Sequence, residues 1–95
     1  MIRGVTAIKP YPISPLRPVP AEIERPHYVG HPGPDRYTGS HVQSSETIEK
    51  MRLAGRIAAR AMAAGAAEIA PGVTTDRIDQ VVHDYICDHG AYPST

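Results

Sequence analysis

The sequence predicts a mainly helical and coil chain, in which an extended proline-rich arm precedes a two-helix hairpin. Three observations lead there. Eight of the ten prolines fall within the first 34 residues. Two stretches after Ser44 carry apolar residues at helical spacing. Between those stretches stands Pro71-Gly72, which stops one helix before the next begins.

The arm comprises residues 1–43. Pro12, Pro15 and Pro18 recur every three residues, the period of a polyproline II turn, so their rings would line one edge. Each proline also disfavours helix in its predecessor. His31-Pro32-Gly33-Pro34-Asp35 is a strong turn signal. With few large apolar side chains to bury, this segment is expected to stay extended and mobile.

Residues 44–95 hold the regular elements. Ser44 suits an N-cap, and Glu46 and Glu49 suit the positive end of the helix dipole. Ile48, Met51, Ala54, Ala58, Met62 and Ile69 form the expected apolar stripe of a helix over about 45–69. Glu46 with Lys50, and Glu49 with Arg52, are spaced to pair on its surface. Thr74 is the next N-cap, opening a helix over about 75–89. Ile78, Val81, Val82, Tyr85 and Ile86 make its apolar stripe, and Gly90 supplies a left-handed stop. Ala91 and Tyr92 could open a strand, which Pro93 interrupts.

Composition removes several function classes. The formal net charge is zero, and no basic field is available for nucleic acid. An acidic second helix also argues against insertion into a DNA groove. Ala61–Ala70 is too short and too weakly apolar to cross a bilayer. The single cysteine, Cys87, excludes an internal disulfide and suits a reducing cytoplasm.

Three side-chain groups suggest chemistry and have simpler readings. His83 and Cys87 are four apart on a helix but lack the further ligands of a zinc site. Asp76, Asp79, Asp84 and Asp88 read as a solvated face. Pro12, Pro15 and Pro18, with Arg17 beside them, resemble ligands of aromatic-lined grooves and form the candidate partner-binding edge. The competing reading lays that edge against the rest of the protein.

Ile48-Glu49-Lys50-Met51-Arg52 followed by Ala54-Gly55-Arg56-Ile57-Ala58-Ala59 resembles the opening helix of type I methionine aminopeptidases. Pro71-Gly72-Val73-Thr74-Thr75 with Ile78-Asp79 is similar to the start of their second helix, and His89-Gly90-Ala91-Tyr92-Pro93-Ser94 to the stretch entering their first core strand. The arm, with Ser14-Pro15, Arg17-Pro18-Val19-Pro20 and Arg25-Pro26, resembles that of the bacterial subgroup with an N-terminal extension. The resemblance implies an α/β "pita-bread" parent fold. Its implied activity is metal-dependent removal of the initiator methionine from nascent polypeptide N-termini, in the cytoplasm and at or near the ribosome. It implies two divalent metal ions (cobalt, manganese, iron or zinc) held by two Asp, one His and two Glu. In the family all of these lie downstream of the Tyr-Pro-Ser block, so no catalytic residue and no metal ligand is assigned here. The 95-residue chain is therefore expected to hold no metal and to be inactive alone. Thr95 matches a position bordering the methionine side-chain pocket and is the one candidate substrate contact. An alternative reading is a non-enzymatic interaction module built on the arm and the hairpin.

Overall fold

A computed structural model describes residues 8–94. Two helices occur among them, α1 (Ser45–Ala67) and α2 (Thr75–Asp88), and no strand. The first opens as expected: the Ser44 side chain accepts from the Thr47 backbone N–H at 3.2 Å. It ends two residues short of the stripe's last member. Glu68 N–H bonds Gly65 O and Ile69 N–H bonds Ala66 O, both at 3.1 Å, a tightened last turn of i to i−3 bonds. Ala70, Pro71, Gly72 and Val73 then close a turn, with Val73 N–H on Ala70 O at 3.1 Å. Gly72 takes φ 89° there, so proline followed by glycine fits both central positions of a type II turn.

Thr74 Oγ1 accepts from Arg77 N–H at 3.2 Å to start α2. At the other end, Gly90 has φ 74°. Gly90 N–H reaches Cys87 O at 2.9 Å, and Ala91 N–H reaches Ile86 O at 3.1 Å. These are the two bonds of a Schellman stop. Residues 91–94 form no strand.

The helices meet through small residues. Ala61 is 1% exposed, and Gly65 is also buried. A Cβ placed on Gly65 would lie 2.7 Å from Val82 Cγ2 and 3.4 Å from Ile78 Cγ2. Ile57, Ala61, Ala64, Gly65 and Glu68 are the less exposed residues along this part of α1. The apolar stripe of α1 therefore does not face α2. Met51 and Met62 are 62% and 72% exposed, and Ile48 and Ile69 are exposed too. Periodicity marks an apolar face without saying which neighbour covers it. Here a close approach at Gly65 decides where α2 sits.

Part of the arm is held by contacts. Residues 8–20 are extended, with turns at 21–22 and 27–30, but the segment is tied down. Ile23 is 6% exposed, the largest of the buried hydrophobic side chains. Arg25 closes the turn beneath it, Nη1 donating to Pro20 O at 2.8 Å and Ile23 O at 2.7 Å, and Nη2 to Val19 O at 2.8 Å.

Candidate functional site

The arm lies along α2. Ser14 donates twice to one carboxylate: its N–H to Asp76 Oδ1 at 3.0 Å and its hydroxyl to Asp76 Oδ2 at 2.7 Å. Arg17 spans two acids. Its Nε–H reaches Asp79 Oδ2 at 3.1 Å, while Nη2 reaches Asp76 Oδ1 at 3.1 Å and Asp76 O at 2.8 Å. Next, His83 Nε2 donates to Pro18 O at 3.1 Å. Further along, the Arg25 guanidinium lies 5.8 Å from the centre of the Tyr92 ring, and the Tyr28 hydroxyl bonds Ser94 Oγ.

These contacts run in register. Asp76, Asp79 and His83 are spaced three and four, so they share one face of α2. From Asp76 to His83 the helix rises roughly 10 Å at about 1.5 Å per residue. From Ser14 to Pro18 an extended chain covers roughly 12 Å at about 3.1 Å per residue. The arm therefore keeps pace with the helix without a bulge, which lets a short polar motif dock on consecutive turns.

The electrostatics follow from the geometry. Asp76 titrates below the ordinary Asp value of 3.8, first because of the Ser14 N–H and hydroxyl bonds, then because of the Arg17 charge, with burial opposing. Arg17 is held above its usual value, chiefly by Asp79. The Cys87 thiol is pushed up by burial and by Asp84 and Asp88, so it stays protonated, the poor form for metal binding or attack. Between the arm and α2 lies a cleft of about 900 Å³ lined by Leu16, Arg17, Val19, Val82, His83 and Tyr92.

Pro12, Pro15 and Pro18 are exposed, while Pro18 gives its carbonyl to His83. Arg17, proposed as a handle for an external partner, has its side chain 15% exposed and is engaged on α2. Thr95 lies outside the described residues. Asp76 is half-buried beneath the arm, while Asp79, though paired with Arg17, stays exposed like Asp84 and Asp88. The readable signal was the Asp76, Asp79, His83 stripe, whose charge is opposite to that of Arg17. Nothing local to α2 names a partner about sixty residues upstream.

Among the described residues no three His, Cys, Asp or Glu side chains converge as a metal site. His83 is turned to a carbonyl and Cys87 is a protonated thiol. These donors do not fit a two-metal centre. What this face does chemically is recognise: two carboxylates accept while a guanidinium, a hydroxyl and an amide donate. No helix among the described residues is long and apolar enough to cross a membrane.

Residues 49–94 match metallopeptidase family M24. The chain is 54% identical over 90 residues to methionine aminopeptidase 2 of Mycobacterium tuberculosis, covering 95% of this chain and 32% of that protein. It is 43% identical over 88 residues to methionine aminopeptidase 1D, chloroplastic/mitochondrial, of Arabidopsis thaliana, covering 92% and 25%. To methionine aminopeptidase 1 of Saccharomyces cerevisiae it is 33% identical over 90 residues, covering 88% and 23%. The chain thus spans about a third or less of the length of these relatives.

Proposed function

The chain belongs to metallopeptidase family M24 over residues 49–94, and from that premise we propose that it serves as the opening segment of a bacterial type I methionine aminopeptidase. The activity of the whole would be hydrolysis of the initiator methionine from nascent polypeptides in the cytoplasm. The carrying observation is the 54% identity, which extends through the arm as well as the helices. The interaction-module alternative finds no support among relatives that are named as methionine aminopeptidases.

On this reading the chain contributes scaffold rather than chemistry. The exposed stripe of Ile48, Met51 and Met62 is the face we assign to the sheet of the pita-bread fold. Burying each such side chain is worth roughly 1.5–3 kcal/mol. Thr95 would border the methionine side-chain pocket, and the divalent metals would be held by residues other than those described here. Pro12, Pro15 and Pro18 remain accessible to a partner at the ribosome, with Arg17 engaged internally.

A segment exchange tests this. Residues 8–94 replace their aligned counterpart in the M. tuberculosis relative, and release of methionine from a Met-Ala-Ser peptide is measured with added cobalt or manganese. The chimera is expected to keep kcat within about tenfold of its parent. A soluble, folded chimera slowed a thousandfold or more would overturn the reading. The 95-residue chain alone is expected to release none.

A further inference from the structure

We propose that Ser14 is a phosphorylation site, and that a phosphate there unlatches the first part of the arm, residues 8–18, from α2. The acceptor is suited to it. Ser14 is exposed, lies in an extended run and is followed by Pro15, with Arg17 three residues on. An extended Ser-Pro segment is the form in which a Ser-Pro-directed protein kinase takes its substrate. Phosphoryl transfer from a nucleoside triphosphate would form the Oγ–P bond, break the bond from the γ-phosphorus to the bridging oxygen, and release the nucleoside diphosphate. The hydroxyl proton passes to the kinase's base.

Two effects then act in the same direction. The hydroxyl that donates to Asp76 Oδ2 at 2.7 Å is gone, and a phosphate of charge about −1.5 to −2 stands against that carboxylate. Arg17, three residues away, is also drawn off, because a guanidinium fork pairs bidentately with phosphate. Its bonds to Asp76 and Asp79 are the next anchors of the arm. The bond between Pro18 O and His83 is left alone at the edge of the released segment, and the cleft roofed by residues 13–19 opens. Beyond it, the Arg25 contacts to Val19, Pro20, Ile23 and Tyr92, and the Tyr28–Ser94 bond, involve none of these groups. The arm should therefore peel to about residue 18 and stay seated from 19 to 28.

The test uses the full 95-residue chain, isotopically labelled and treated with a Ser-Pro-directed kinase and ATP. Phosphate is mapped by fragmentation, and amide exchange is followed by NMR. Incorporation at Ser14 is expected, with exchange of the Ser14 amide accelerated by about tenfold or more while the Ile23 and Val29 amides change less than about twofold. A Ser14→Ala chain, which loses the hydroxyl bond but keeps the amide bond and Arg17, should show a smaller rise. The proposal is overturned by no phosphate at Ser14, by an unchanged Ser14 amide in the phosphorylated chain, or by Ser14→Ala releasing the arm as fully as phosphate does.

Discussion

On one face of α2, Ile78 and Val82 close against a glycine; on the next, Asp76, Asp79 and His83 hold an extended arm through directed polar bonds. The first contact depends on the absence of atoms at Gly65. The second depends on charge state and on two donors from one short segment. The first should fail by steric filling and be indifferent to salt. The second should fail by a single change of charge and leave the helices standing.

The largest expected effect comes from filling the first contact. Gly65→Leu would put side-chain atoms where a Cβ alone already comes within 2.7 Å of Val82 Cγ2. Leucine in place of glycine favours the isolated helix by about 1 kcal/mol, but overpacking of this kind costs about 1–3 kcal/mol. A close helix crossing has no slack to absorb it, so a net loss of about 2 kcal/mol is expected, read as lost amide protection in α2. If α2 keeps its protection, the crossing is not set by Gly65.

Next comes the arm. Arg17→Ala removes both long-range ion pairs and should raise exchange across residues 14–19 several-fold, with helical circular dichroism unchanged. A loss of helix in that variant would show that arm and hairpin form one cooperative unit, and the distinction between the two faces would go.

How far these contacts were legible differs for the same reason. Both helices, their caps and their stops follow from local spacing: Ser44, Thr74, Pro71-Gly72 and Gly90 each act within a few residues. The face of α1 that α2 covers was not legible, because Met51 and Met62 are more apolar than Ala61 and Gly65, yet only the small pair admits α2 so closely. That the arm could lie against the rest of the protein was one of two readings of its proline edge, but its partners on α2 were not legible, because they lie about sixty residues away and no local propensity encodes that pairing. Thr95, the site residue implied by family resemblance, lies outside the described residues.

Acid should loosen the second face selectively. Asp76 titrates below 3.8 in the folded chain because Ser14 and Arg17 favour its charged form. A lowered folded value means that its contribution is complete above the ordinary Asp range and is lost as pH falls through the folded value. Ser14, Arg17, Asp79 and His83 are the groups of the latch around it. Arm amides should therefore keep their protection from pH 7 down to about 4 and lose it below, with α2 amides following later. Asp76→Asn should release the arm at neutral pH and remove that acid step.

The smallest effect is expected where an ion pair looks best on distance alone. Arg52 Nη1 lies 2.9 Å from Glu49 Oε1, closer than either Arg17 pair at 3.1 Å. Both its side chains are about two-thirds exposed, at 65% and 66%, whereas Arg17 is 15% exposed. Water screens the first pair, and holding two long side chains together costs rotamer entropy, so exposed i,i+3 pairs contribute roughly 0.2–0.5 kcal/mol. It also joins two residues one turn apart, which the helix already fixes. Glu49→Gln should therefore shift stability by about 0.3 kcal/mol, with no change in exchange at Ser14 or in α2. The Arg17 pairs tie segments about sixty residues apart, alongside the Ser14 and Pro18 bonds, so their loss is read in position rather than in helix content. If Glu49→Gln freed the arm or cost more than about 1 kcal/mol, distance rather than exposure and topology would be the better guide to these pairs.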